Sequence, residues 1–352
     1  MGERMRQALT RAALTRAACA ATVSLMLAAG ASAQSPQRPP QDEVFYQIMP
    51  IAWRDSDNDT RSGQPARFGD FNGLTASLDY LQYLGVTAVY LQPVFPSPAY
   101  HGYQHGDAST LNSWFGTEAQ FVAFVAQLHA RGIKVILDYV AYGVSHGTVY
   151  YTSAYSTPTS VYDQSLAFTN TRNTSYTGST YPTRSGANVG FIHWNLNNAG
   201  AVALITDWTR KWLDPNNDGD TSDGVDGFRL DHAYSNAPEG WGASIAFWRN
   251  WSTAMRVRKP GVFIFAEPGD WGNYGADMPT RNGFDAVITK PSQFASRDAV
   301  NQGNAQRLYD SVLATVGAAL TISSHSSRRG SRGERLGGLG GAGGLSDGGI
   351  GR

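Results

Sequence analysis

The chain has 352 residues, enough for one large barrel or for two or three smaller domains. Lys plus Arg and Asp plus Glu balance at 28 each, which argues against a nucleic-acid surface or a basic membrane patch. The single cysteine, Cys19, sits in an amino-terminal leader, so the mature chain has no disulfide, thiol nucleophile or thiolate metal site.

In that leader Arg4, Arg6, Arg11 and Arg16 precede an apolar run from Ala17 to Ala29, and Ala31-Ser32-Ala33 offers a small-residue cleavage site. The apolar run is too short to span a bilayer comfortably. The pattern predicts a signal peptide over 1–33, a secreted or periplasmic product and no stable membrane anchor after cleavage. A polar, Pro-rich linker follows over 34–43.

Short apolar runs then alternate with amphipathic stretches. The strand candidates are Val44–Met49, Ala88–Val94, Lys134–Val140, Gly227–Leu230, Val262–Ala266 and Ala286–Thr289. The helix candidates between them include Leu74–Leu84, Glu118–Ala130, Ala199–Leu213 and Gly242–Val257. Continuous apolar strands alternating with helices predict a parallel sheet covered by helices. About six units of a (β/α)8 TIM barrel are present, over 44–144 and 196–322, with a doubly wound sheet as the alternative on pattern alone. Residues 145–195, dominated by Ser, Thr, Tyr, Asn and Gly, read as a loop-rich inserted domain after the third strand. Residues 323–352 collapse into Ser, Arg and Gly and are predicted to be disordered.

Three strand candidates end in an acid: Asp138, Asp231 and Glu267. In a parallel barrel the carboxyl ends of the strands converge on one face, where active sites sit. Because a strand alternates its faces, Arg229 and Asp231 point the same way, and Phe228 and Leu230 point toward the helices. An Arg beside Asp231 favours the ionised form that a nucleophile needs.

These residues carry a resemblance. Gly227-Phe228-Arg229-Leu230-Asp231 matches the nucleophile motif of the α-amylase family of glycoside hydrolases, and Phe265-Ala266-Glu267 its acid/base strand. Tyr100-His101-Gly102-Tyr103, Gly116-Thr117, Phe71-Asn72-Gly73-Leu74, Leu78-Asp79-Tyr80-Leu81 and Asn195-Leu196-Asn197 are similar to further family motifs. The resemblance covers roughly Val44 to Leu320. It implies a retaining hydrolase of α-glucans or oligosaccharides, with Asp231 as nucleophile and Glu267 as acid/base. It also implies a proton on Glu267 and none on Asp231 at working pH. Tyr103 would stack on the sugar, while His101, Arg229, Asp138 and His232 complete the substrate-binding set.

Two acidic loops are candidates for Ca2+. The first holds Asp55, Asp57 and Asp59 at alternate positions, with Asp70 after a short insertion. The second, with Asp214, Asn216, Asp218 and Asp220, begins like an EF-hand loop, but Val225 stands where that loop needs a bidentate Glu. Solvated Asx-rich turns are the alternative for both.

The sequence departs from the family pattern in three places. Asp138-Tyr139-Val140-Ala141-Tyr142-Gly143 lacks the Asn-His pair of the third strand, for which His146 is a candidate substitute. Tyr234-Ser235 stand where true α-amylases often carry Lys-His. No Asn-His-Asp, the motif of the family's third catalytic carboxylate, occurs anywhere. The composition shift at Ser323 resembles a truncated or frameshifted reading frame, and an open six-unit barrel is expected to fold poorly or to lack activity. An α-glucosidase, cyclomaltodextrinase or glucanotransferase of the same family shares these strands, and a non-catalytic sugar-binding fragment is the third reading.

Overall fold

The computed structural model describes residues 38, 42–57, 68–182, 186, 188–233, 244–269, 272 and 275–315, and every structural statement below concerns those residues. The leader, Asp59, Tyr234-Ser235 and the Ser/Arg/Gly tail lie outside them. Among the described residues no helix is long and apolar enough to cross a membrane.

The elements run β1 (Phe45–Ile48), α1 (Phe71–Thr75), α2 (Leu78–Tyr83), β2 (Ala88–Leu91), α3 (Glu118–His129) and β3 (Lys134–Tyr139). Next come β4 (Gly143–Ser145), α4 (Val149–Ala154), β5 (Gly178–Pro182), β6 (Asn188–His193) and α5 (Ala199–Leu213). The chain continues through β7 (Gly227–Ala233), α6 (Ile245–Arg258), β8 (Phe263–Pro268), α7 (Met278–Asn282), β9 (Ala286–Val287) and α8 (Lys290–Gln302).

Local chemistry fixes the helix starts. Thr117 and Gln120 form a reciprocal capping box on α3. Asn198 caps α5 through Ala201 N, and Ser244 caps α6 through Phe247 N. The helix predicted over Leu74–Leu84 is instead two short helices. Asp70 caps α1 several residues earlier than the periodicity suggested, and Ser77 Oγ donates to Gly73 O at the junction.

Six strands form one parallel sheet in the order β1-β2-β3-β7-β8-β9. Successive strands always add at the same edge, without the reversal of a doubly wound sheet, so the sheet is a curled partial (β/α)8 barrel. Between β3 and α5, β4, β6 and β5 make a separate antiparallel sheet.

Strand alternation sorts the barrel into two sides. Val89, Leu91, Val135, Leu137, Phe228, Leu230, Ile264 and Ala266 are buried in the layer shared with the helices. Phe228, for example, meets Trp251 of α6 edge-on at 5.7 Å. On the concave side Tyr90, Ile136 and Phe265 form a second, smaller cluster, with Phe263 and Ala286 packed against it. Above that apolar layer the next inward positions are Asp138, Arg229, Asp231 and Glu267. Gly227 permits the close pairing of β7 with β8, because a Cβ there would lie 2.0 Å from the Phe263 carbonyl oxygen. At the amino ends of the strands Asp226 accepts from Val135 N and contacts His129 Nε2 and Lys259 Nζ, tying α3, β3 and α6 to the base of β7.

Candidate active site

Register brings the acids together. Asp138 lies opposite Arg229, and Arg229 opposite Phe265, so three neighbouring strands present their inward side chains at matching heights. Two residues further along, Asp231 and Glu267 face each other where the pairing of β7 with β8 shifts between Leu230 and Ala233. His232 sits inside that irregularity at φ +40°, a left-handed backbone for a residue with a bulky side chain.

Arg229 organises the centre. Its Nη1 donates to Asp138 Oδ1 and Oδ2 at 2.8 and 3.0 Å and to Asp231 Oδ1 at 2.7 Å, while Nη2 donates to Glu267 Oε2 at 2.6 Å. Burial disfavours the guanidinium charge, but the attraction of Asp138 and Asp231 outweighs it and holds the group protonated. The Tyr90 and Tyr103 rings each lie 5.9 Å from the guanidinium carbon. Both phenols donate to Asp138 Oδ2, at 2.7 and 2.8 Å, and burial with the nearby carboxylate pushes both upward, so they remain donors. Asp138, fully buried, is thus fixed by one guanidinium and two phenols, and burial still raises it.

Asp231 and Glu267 each offer an oxygen within 4.8 Å of the other, and a ring nitrogen of His232 lies within the same distance of both. Arg229 already bridges the two carboxylates, so a resident cation occupies the space between them. His232 Nε2 lies 3.7 Å from Glu267 Oε2, and burial lowers the imidazole, so at neutral pH the contact joins a neutral ring to a carboxylate.

The acids are pushed apart in the sense opposite to the expectation. Burial raises Asp231 to about 7, with the Asp138 and Glu267 charges adding to the rise and Arg229 opposing it. Burial also acts to raise Glu267, but Arg229 first, then Lys290 and His232, hold its carboxyl below its usual range. Lys290, the first residue of α8, contacts Glu267 Oε1 at 2.9 Å. An adjacent Arg alone therefore leaves Asp231 only partly ionised near neutral pH when the whole group is withdrawn from water.

Around the acids lies a cavity of about 720 Å³. Its walls include His101, Tyr103, Tyr142 and His232, with Lys290 and Gln293 on the α8 side. All seven residues expected at the catalytic and sugar-binding site line this cavity or, for Asp138, bond directly to a residue that does. His101 is half-buried, lowered by burial, and tilts against Tyr103 at 5.7 Å.

His146 does not replace the absent Asn-His pair. Its ring stacks on Tyr151 at 3.9 Å and packs over Gly190, away from the cavity. Tyr142, at the position of the missing Asn, reaches the acids instead. Its hydroxyl donates to Asp231 Oδ2 at 3.3 Å, and its ring stacks against His232 at 6.2 Å. Sequence reading missed Tyr90, Tyr142 and Lys290. Inward alternation on β2 could have flagged Tyr90, whereas nothing in the sequence pointed to Lys290.

Of the first acidic loop, Asp55, Asp57 and Asp70 converge, each with a carboxylate oxygen within 4.8 Å of the others, while Asp59 lies outside the described residues. Asp70 also anchors the loop by accepting from Ser56 N and Gly73 N, each at 2.7 Å. The acids of the second loop do not converge in this way. Asn216, Asp218 and Asp220 each accept from the backbone two residues on, as in Asx turns, and Arg258 bonds Asp214. Asp223, raised by burial and by the charges of Asp214, Asp218 and Asp220, completes an acidic patch without a shared point of approach.

Comparison with known proteins agrees with this geometry. The profile of the α-amylase catalytic domain matches residues 47–271. The chain is 28% identical over 239 residues to alpha-amylase 3 of Dictyoglomus thermophilum, covering 65% of this chain and 44% of that one. It is 30% identical over 255 residues to an amylopullulanase of Thermoanaerobacterium thermosulfurigenes, covering 64% of this chain and 13% of that one. Among solved structures it resembles the cyclic alpha-maltosyl-(1→6)-maltose hydrolase of Arthrobacter globiformis, with a TM-score of 0.65 at 25% identity, over 80% of this chain and 63% of the other. The chain therefore spans less than two thirds of the length of each of these relatives. With three acids at the ends of neighbouring barrel strands and a family profile over most of its length, this chain belongs to the α-amylase family of glycoside hydrolases.

Proposed function

We propose that this chain is an exported hydrolase that cleaves α-1,4-glucosidic bonds of starch or maltooligosaccharides with retention of configuration. The observation that carries the mechanism is the approach of Asp231 and Glu267 oxygens to within 4.8 Å. Retaining pairs stand about 5–5.5 Å apart, whereas inverting pairs leave about 6.5–9.5 Å for a water. Asp231 Oδ attacks the anomeric carbon as the glycosidic bond breaks, and the leaving oxygen takes a proton from Glu267. Water then enters, gives a proton to Glu267 and releases the sugar from Asp231. Arg229 and Asp138 hold the nucleophile in place. Tyr103 and His101 offer an aromatic face and a hydrogen-bonding ring at the cavity wall.

The test is release of reducing sugar from maltooligosaccharides by the full chain and by Asp231→Asn. Turnover by the wild type and none by a folded Asp231→Asn supports the reading. Sugar binding without hydrolysis by the wild type favours a non-catalytic binding role instead. A second reading, action on cyclic maltooligosaccharides, follows from the likeness to the Arthrobacter hydrolase. Product profiles on starch, cyclodextrin and maltose separate the two.

Asp55, Asp57 and Asp70 are the residues that would hold Ca2+, a hard cation that takes several carboxylate oxygens. There it would tie the loop after β1 to the start of α1. The second loop fits a shared ion less well, since Arg258 already meets Asp214 and the remaining acids cap backbone groups.

A further inference from the structure

Both oxygens of Glu267 face a cation in this structure. Oε2 accepts from Arg229 Nη2 at 2.6 Å, and Oε1 meets Lys290 Nζ at 2.9 Å. A carboxyl that delivers a proton to a leaving oxygen needs one of these atoms turned to the cavity and protonated. Arg229 is not the partner that can leave, because it is also bonded to Asp138 and Asp231 and its side chain is only 6% exposed. Lys290 differs in exposure and in the freedom of its side chain. Its side chain is 19% exposed, it is a compact charge on a flexible stem, and it opens α8 just after β9, the edge strand of the sheet.

We propose that Lys290 is a displaceable counter-ion of Glu267: a positioning residue that holds the acid/base carboxylate in the resting site and is moved aside when a sugar occupies the cavity. This rests on the reading of Glu267 as the acid/base. Lys290, Thr289 and Gln293 line the same cavity as the acids, which puts this ammonium at the wall where a sugar would meet Glu267 Oε1. The groups that face Glu267 are Arg229, Asp231 and His232 from β7 and Lys290 from α8. Loss of the ammonium leaves Arg229 as the cation in contact and makes proton retention by Glu267 easier.

The experiment is carbon NMR titration of the full chain labelled at the glutamate side-chain carboxyl. The sequence has only six glutamates, and Glu267→Gln assigns the signal. Lys290→Met and Lys290→Gln should each raise the Glu267 midpoint by about one pH unit or more, and Lys290→Arg should leave it near the wild-type value. Adding maltooligosaccharide to the wild type should also raise it, and should do so far less in Lys290→Met. An unchanged midpoint in both neutral variants, or bound sugar that leaves the wild-type midpoint in place, overturns the proposal. Because the titration needs no turnover, its failure is distinct from that of the hydrolase reading, which Asp231→Asn decides.

Discussion

Replacing Arg229 by Met removes the one side chain that contacts Asp138, Asp231 and Glu267 together. The Met side chain fills comparable space but leaves three buried carboxyls without their shared cation. Breaking a buried ion pair by deleting one partner costs about 3–5 kcal/mol, because the remaining charge stays withdrawn from water. Burial already raises Asp138 and Asp231 with Arg229 in place, so the mutant also takes up protons that the unfolded chain releases. Its folded state then gains stability as pH falls, and the deficit at pH 7 should shrink toward pH 5. Urea unfolding followed by fluorescence of the buried tryptophans, Trp194, Trp212, Trp248 and Trp251, reads both effects. A loss below about 1 kcal/mol at pH 7, the range of exposed ion pairs, would refute the claim that this guanidinium holds the centre together.

Other outcomes follow from the same geometry. Asp231, raised from 3.8 to about 7, contributes stability that is fully present below about 3.8 and lost as pH rises to 7. Asp231→Asn should therefore be more stable than the wild type by up to about 4 kcal/mol at pH 8, and the gain should vanish near pH 4; equal stability at pH 8 would contradict the raised value. Gly227→Ala should cost roughly 1–3 kcal/mol or more in the urea assay, since the new methyl meets the Phe263 carbonyl, which is backbone and cannot easily step aside; a neutral result would mean that β7 and β8 pair more loosely than this. If Asp55, Asp57 and Asp70 hold Ca2+, chelation should lower the melting temperature of the wild type and leave that of Asp57→Ala unchanged. A melting temperature indifferent to calcium would remove the metal from the loop.

The apolar periodicity made the barrel legible because its four central strands are buried on both sides. Ala199–Leu213 appears as predicted, and the six strand candidates each contain an observed strand or overlap one. Boundaries failed where side chains, not periodicity, set them, as at Asp70 and Ser77. Within the site, alternation placed Arg229 and Asp231 on one side correctly, since both residues lie on a single strand. Lys290 was illegible because its role depends on where α8 turns after β9, a matter of three-dimensional closure. The proton preference of the acids was misread for a similar reason. The sequence shows that an Arg neighbours Asp231 but not that three acids share it, nor that burial outweighs it.

That sharing has a consequence for how charge moves through the cavity. In the charge state that the proposed nucleophile requires, with Asp231 deprotonated alongside Asp138 and Glu267 and with Arg229 and Lys290 protonated, the centre carries one net negative charge. When the ammonium withdraws and a proton settles on Glu267, the net charge is still one negative. Exchange of a lysine for a proton is electroneutral, so a sugar can arm the acid without working against the field of the site, and the developing positive charge at the anomeric carbon meets the same potential throughout.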